Sequence, residues 1–402
     1  MKKKITVIGL GYVGLPTLLL FSETNKFKVI GYDNNKKILN DIKKGKTKMN
    51  EKKVKIILKK NIKKKNFDIH DKLSRSDVFI ITVPSNINKK LRQNILPLTD
   101  VVEKISDVLE EKNLIIIETT SELGTTDYLK EIIFRKNKKL FNGSITKPKF
   151  FMAYCPERVF PGNSFYEIKN NPRLIGGINE KSNKEAKKIF SYFSKKIFLT
   201  DNKTAEISKL VENSYRNVQI GFVNELANYA FKKNLNIKEI IELSNLHPRI
   251  NLLNPGIGVG GHCIPIDPFF LIKREFQNFK ILNSSIKANN LRTKFITNII
   301  QSNIKKNKIK EINFFGATYK ADIADFRQSP SLKIINKLSK FKKIKLNIHD
   351  PYIFSSTLKT KKNLNINPKI NLNKKFLLNV LLVSHKKYKK LKKLSKILDF
   401  TF

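Results

Sequence analysis

The sequence predicts an α/β chain, two doubly wound parallel-sheet domains joined by a central helical segment, and three features of its 402 residues predict this. Short apolar, β-branched runs alternate with stretches of helical period, the pattern of a parallel sheet covered by helices. One long helical stretch, residues 203–233, interrupts that alternation, which resumes near residue 305. The first strands are read at Ile5–Ile8, Lys28–Tyr32, Val78–Val83, Leu114–Glu118, Phe150–Tyr154 and Ile197–Thr200. In the helical stretch Ile207, Leu210, Val211, Val218, Phe222, Leu226 and Tyr229 make one broad apolar face. Further helices and a glycine-rich loop follow, then strands at Ile312–Phe315, Lys345–His349 and Val380–Val383. Domains are expected at 1–200, 201–304 and 305–402.

A chain with 40% hydrophobic and 10% aromatic residues has material for real cores and is not disordered. Its 80 Lys+Arg against 33 Asp+Glu give a net charge of +47. Clustered basic residues are the footprint of phosphate binding. Here the lysines are spread along the chain beside heavy use of Asn and Ile, so the charge reads as compositional drift and no nucleic-acid partner is expected. The runs at 59–65 and 386–393 read as solvated faces, while the positive field favours encounter with anionic small molecules. Two cysteines, Cys155 and Cys263, make neither a disulfide framework nor a four-thiolate zinc site. No metal is expected. The basic start and apolar run to Phe21 mimic a secretory leader, but Gly9, Gly11 and Gly14 punctuate it and no small-x-small cleavage site follows. With no uninterrupted apolar run of about 18 residues, a soluble cytoplasmic protein without a membrane partner is expected.

Gly9-Leu10-Gly11-Tyr12-Val13-Gly14 follows the first strand and opens a helical pattern. The first glycine permits the tight turn, the second lets backbone approach a pyrophosphate, and the third lets helix pack on strand. The helix N-terminus adds unpaired N–H groups and a positive dipole end. Asp33 ends the next strand, 19 residues after Gly14, where a carboxylate accepts ribose hydroxyls and repels a 2′-phosphate. The reading is a Rossmann site for NAD rather than NADP. In Gly256-Ile257-Gly258-Val259-Gly260-Gly261-His262-Cys263, four glycines in six residues cannot be helix or strand interior, but let backbone wrap around a ligand. From the residues alone Cys263 is either an inert thiol or a nucleophile. Lys209 and Asn213, four apart on the long helix, present an ammonium and an amide side by side, or are simply polar positions of an amphipathic face. Glu157 and Arg158, in the loop after the strand ending at Tyr154, are candidates for acid/base work and anion binding, against an ordinary loop salt bridge.

These motifs together resemble the UDP-glucose/GDP-mannose dehydrogenase family. The likeness runs through Gly9–Gly14, Val83-Pro84, Thr119-Thr120, the Pro156-Glu157-Arg158 loop, Lys209 with Asn213, Asn224-Glu225 and Gly260–Cys263 with Asp267. It continues through Tyr319–Asp322, Arg327–Pro330, Asp350-Pro351 and Ser384–Lys386. Within the family, Ala153–Val159 with Pro161–Asn163, Arg216–Val218 and His247–Asn251 look most like the branch acting on UDP-N-acetyl-D-mannosamine. Cys263–Phe269 is equally similar to the branch acting on UDP-N-acetylglucosamine, and Pro161 stands where the UDP-glucose branch carries an acidic residue. Glu122 replaces a usual proline.

The resemblance implies a four-electron oxidation of the sugar C6 hydroxymethyl by NAD. Cys263 would trap the aldehyde as a thiohemiacetal and carry the later thioester. Lys209 and Asn213 would stabilise the oxyanions, Asp267 would take the first proton through a water, and Glu157 would assist thioester hydrolysis. It places Gly9, Gly11, Tyr12, Val13, Gly14, Asp33, Val83, Thr120 and Arg327 at the cofactor. Glu157, Arg158, Lys209, Asn213, Arg249, Gly256, Gly260 and Lys320 would contact the UDP-sugar. It also implies a homodimer through the central helix.

Overall fold

The computed structural model describes residues 2–49, 51–88, 92–159, 162–272, 275–353, 363–393 and 397–401. The chain divides into two units, Met1–Val211 with Phe269–Lys273, and Glu212–Pro268 with Arg274–Phe402.

The first unit is built on eight strands: β1 Lys4–Ile8, β2 Lys28–Tyr32, β3 Phe67–His70, β4 Val78–Ile81, β5 Leu114–Ile117, β6 Phe151–Tyr154, β7 Arg173–Gly177 and β8 Ile197–Asp201. They lie in the order β3-β2-β1-β4-β5-β6-β7-β8. Successive residues face opposite sides. Val7, Ile80 and Ile116 therefore enter one core, and Ile8, Phe79, Ile81 and Ile117 the other. Burial on both faces explains why these strands read as continuous apolar runs. β1 pairs with β2 on one side and β4 on the other, so the chain reverses its direction of winding there, and the crevice beyond the carboxyl ends of β1 and β4 is the expected ligand position. The all-parallel expectation fails at one place: β6 and β7 are antiparallel, with Tyr154 opposite Gly176.

The helix Asn202–Lys232 begins in the first unit and ends in the second. Its expected apolar face is present but turned largely outward. Leu210 is buried, whereas Val211, Phe222 and Tyr229 are 48%, 56% and 55% exposed. The buried stripe instead takes Lys209, Asn213, Asn217 and Asn224 beside Leu210.

The second unit carries a parallel sheet of β9 Glu311–Phe315, β10 Lys345–His349, β11 Leu364–Ile366, β12 Leu377–Leu381 and β13 Ile397–Asp399, in the order β11-β10-β9-β12-β13. Ile312, Phe314, Leu346, Ile348 and Val380 fill its core with Ile296 and Ile300 of the helix Lys280–Lys306. Among the described residues no helix is long and apolar enough to cross a membrane.

Candidate active site

In the first unit the glycine loop is shaped by the chain itself at two of its three glycines. Gly9 has φ +90°, and a Cβ there would lie 3.0 Å from the Thr82 carbonyl oxygen. A Cβ on Gly14 would lie 1.9 Å from the Gly9 carbonyl oxygen. At Gly11 a Cβ would meet nothing within 4 Å. The fold does not require a glycine at Gly11, which leaves the backbone there open to close approach by a ligand. Tyr12 is exposed and Val13 half-buried. No side chain caps the helix Gly14–Thr24, so its first N–H groups point toward the loop mouth. Asp33 is fixed in place: Oδ2 accepts the Leu10 N–H and Oδ1 the Asn35 N–H, each at 2.8 Å. Val83 accepts the Thr119 hydroxyl at 2.9 Å. Beside Thr120, Gln93 and Glu122 bond each other reciprocally, with the Gln93 N–H on the Glu122 carboxylate at 2.9 Å and the Glu122 N–H on the Gln93 amide oxygen at 3.0 Å. The non-proline residue at 122 thus supplies a donor that a proline lacks. These residues fit NAD, which when bound supplies the hydride acceptor.

The same unit brings Glu157 and Lys209 together electrostatically. Glu157 Oε1 is buried with no hydrogen-bond partner among the described residues. Burial pushes the Glu157 carboxyl up to about 7, opposed by the Lys209 ammonium. Beneath it Glu118 and Arg173, both buried, form an ion pair at 2.7 Å, and the guanidinium lies 4.1 Å from the centre of the Phe190 ring. Arg158 donates to the Pro172 carbonyl at 3.3 Å. Phe160 and Pro161 lie outside the described residues. Cys155 is fully buried and burial drives its thiol far upward, which removes it as a nucleophile.

In the second unit the exposed Cys263 sits on a turn whose carbonyl accepts the N–H groups of Ile266 and Asp267 at 2.9 and 2.8 Å. Asn213 Nδ2 donates to Asp267 Oδ2 at 2.5 Å. A ladder of amides from two helices holds this turn and the glycine loop. Asn217 donates to the Ile264 carbonyl at 3.1 Å, Asn289 to the Asn217 carbonyl at 3.0 Å, and Asn224 to Asn289 at 2.9 Å. The Gly256 N–H donates to Asn224 at 2.9 Å, and Arg292 donates to the Gly256 carbonyl at 2.9 Å. Gly260 is pinned against Tyr319. Lys320 is half-buried, and Arg327 pairs with Asp325 at 2.6 Å. Arg249 is exposed. Among the described residues no contact joins it to the Cys263 turn.

Sequence reasoning missed the residues that anchor these loops. Glu206 accepts the Gly124 and Thr126 N–H groups at 2.6 and 2.7 Å, and Glu51 accepts those of Gly162 and Ser164 at 2.9 and 3.0 Å.

Three models of the UDP-glucose/GDP-mannose dehydrogenase family match the chain: the NAD binding domain over residues 3–194, the central domain over 203–303 and the UDP binding domain over 313–401. The chain belongs to this family. As a member it is an NAD-dependent oxidoreductase of nucleotide sugars. The UDP-N-acetyl-D-mannosamine dehydrogenase of Methanocaldococcus jannaschii is 42% identical over 340 residues, 84% of this chain and 76% of the relative. The Methanococcus vannielii enzyme of the same name is 39% identical over 357 residues, 87% of this chain and 80% of the relative. The solved UDP-D-ManNAc dehydrogenase of Pyrococcus horikoshii superposes with TM-score 0.87 at 30% identity, covering 99% of this chain and 95% of that one. In family terms, Gly9–Gly14, Asp33 and Glu157 fall in the stretch matching the NAD binding domain, Lys209, Asn213, Cys263 and Asp267 in the central domain, and Lys320 and Arg327 in the UDP binding domain.

Proposed function

We propose that the chain oxidises the C6 hydroxymethyl of UDP-N-acetyl-D-mannosamine to the carboxylate, using two NAD per sugar. The observation that carries this reading is the name shared by the relatives at 39% and 42% identity. The turn that exposes Cys263 beside the bonded Asn213 and Asp267 supports a covalent route. Asp267, through a water, takes the hydroxyl proton as the first hydride leaves C6. The Cys263 thiol then adds to the aldehyde carbon as a thiohemiacetal, which keeps the intermediate from escaping. Transfer of a second hydride to NAD, with the thiohemiacetal hydroxyl proton released to water, gives a thioester. Water attacks it with Glu157 accepting the proton, the C–S bond breaks, and the thiol returns. Lys209 and Asn213 stabilise the oxygen that gains charge in both additions. Arg158, Arg249, Gly256, Gly260 and Lys320 hold the UDP-sugar, and Arg327 reaches the cofactor.

Segments 1–200, 201–304 and 305–402 are assigned as the NAD-binding, central and UDP-sugar-binding domains. The exposed apolar stripe of Val211, Tyr215, Phe222 and Tyr229 on the long helix supports a homodimer in which a second copy covers it. Sedimentation of Phe222→Lys against the parent chain tests this, a fully dimeric variant refuting it. A cytoplasmic site, where NAD and nucleotide sugars are found, completes the reading.

The deciding experiment counts NADH per sugar with UDP-N-acetylmannosamine and UDP-N-acetylglucosamine offered separately. Two NADH from the manno sugar alone support the proposal. Two from the gluco sugar alone overturn the substrate, and one per sugar overturns the covalent route.

A further inference from the structure

Among the buried groups that this reaction leaves unused is His385. It is completely buried beyond the end of β12. Its Nδ1 accepts the Asp322 backbone N–H at 2.9 Å, while Nε2 lies 3.0 Å from Asp350 Oδ2 and 3.2 Å from Thr318 Oγ1. A ring nitrogen that accepts from an amide carries no proton in the neutral ring, so the network assigns the proton to Nε2, facing the Asp350 carboxylate. Asp350 Oδ2 also accepts the Ala317 and Thr318 N–H groups at 2.6 and 3.1 Å. Burial alone would raise the Asp350 carboxyl, but these bonds hold it below the usual carboxylate range. Asp322 has φ +60°, a left-handed conformation that only surrounding bonds sustain in a non-glycine residue. Its carboxylate accepts the Lys386 N–H at 3.1 Å.

Ala317, Thr318 and Asp322 all belong to the segment that leaves the carboxyl end of β9. The same segment closes on the loop before Cys263. The Gly261 N–H donates to the Arg327 carbonyl at 2.9 Å, and a Cβ on Gly261 or Gly260 would lie 2.9 or 2.6 Å from Tyr319 atoms. Lys320 and Arg327 are on this segment too.

We propose that His385 is a positioning residue. Through the Asp322 N–H that its Nδ1 accepts, it fixes segment 316–328, which through Tyr319 and the Arg327 carbonyl sets the turn presenting Cys263. The inference rests on Cys263 being the acting thiol.

Two isosteric replacements separate its two bonds. His385→Asn keeps an acceptor where Nδ1 stands, whereas His385→Gln keeps a donor where Nε2 stands. Amide hydrogen exchange over residues 256–263 and 317–327 is read together with kcat and the KM for NAD. His385→Gln is expected to speed exchange in both stretches by about tenfold. It should lower kcat by about 10–100-fold, the size of a small misplacement at a reacting group. The KM for NAD should rise with it, because Arg327, assigned to the cofactor, lies on the loosened segment. His385→Asn restores both readouts to within about threefold. Tyr319→Leu, which cuts the relay downstream, speeds exchange in 256–263 but not in 317–327, with the same fall in kcat. Equal behaviour of the Asn and Gln variants, or exchange rising in 317–327 alone in His385→Gln, overturns the proposal. Failure of the thiol reading shows separately, as two NADH per sugar from Cys263→Ser, and leaves the exchange result to judge the relay.

Discussion

The Glu157 carboxyl, pushed up to about 7 by burial, gives this chain an ionisation near neutral pH that bears on stability and, under the proposed mechanism, on rate. The Lys209 ammonium and Arg173 pull it down, and Glu118 pushes it up. Moving a carboxyl from 4.5 to about 7 favours its neutral form in the folded chain by a few hundred-fold, about 3 kcal/mol. The folded value is the raised one, so the stability is fully present below the unfolded value, near 4.5, and is lost as pH climbs to about 7. For the rate the sign is opposite: accepting a proton in thioester hydrolysis requires the carboxylate, so kcat rises with pH through about 7. The assay is NADH formation with the UDP-sugar from about pH 5.5 to about 9, on the parent chain and Glu157→Gln. The variant should lose the rising limb and about 10²–10⁴-fold in kcat, while its urea resistance no longer falls over the acid-to-neutral range. Glu118→Gln, which removes a charge that raises Glu157, should move the limb to lower pH. A limb that survives intact in Glu157→Gln, or one centred near the ordinary carboxylate value, would refute the assignment.

Three further changes test other parts of the site. Gly11→Val should leave the melting temperature within about 2 °C, since a side chain there meets open space, yet weaken NAD binding by at least about tenfold in calorimetry; equal binding would remove Gly11 from the cofactor site. Arg173→Met leaves the Glu118 carboxylate buried without its partner and should cost about 3–5 kcal/mol by urea unfolding of the isolated transition at neutral pH, a loss under about 1 kcal/mol showing the pair to be solvated. Asp33→Ala frees the Leu10 and Asn35 N–H groups and removes the charge that opposes a 2′-phosphate, so the ratio of kcat/KM for NAD over NADP should fall by about tenfold or more, an unchanged ratio placing the ribose elsewhere.

What could be read from the residues alone follows a physical division. Doubly buried strands such as Val78–Ile81 and Leu114–Ile117 announce themselves because every position is apolar. β3 alternates half-exposed positions at a sheet edge, and β13 has three residues. β7 ends in Gly176 and Gly177, where a Cβ on Gly176 would lie 2.4 Å from the Asp201 carbonyl oxygen, so a packing demand reads as a loop. Gly9 and Gly14 were legible because backbone geometry itself dictates the residue type, and Asp33 because a carboxylate there accepts two N–H groups of the loops around it. On the long helix the apolar stripe of Val211, Phe222 and Tyr229 is exposed while Asn213, Asn217 and Asn224 are buried, the reverse of the rule that turns hydrophobic faces inward. A usable signal was present: Asn213, Asn217 and Asn224 fall on one helical stripe, and an amide carries the donor and acceptor needed to tie down glycine-loop backbone.

Glu51 and Glu206 left no such trace, and His385 showed only within the family likeness of Ser384–Lys386. Each acts by accepting backbone N–H groups of a segment far away in the chain, Gly162 and Ser164 for Glu51, Gly124 and Thr126 for Glu206, Asp322 for His385. Main-chain donors exist at every residue but proline, so nothing in the recipient segment marks it. The side chains holding the reactive loops are therefore the ones that sequence hides best. Those meant to touch ligand, which need a particular chemical group at a particular place, are the ones it shows.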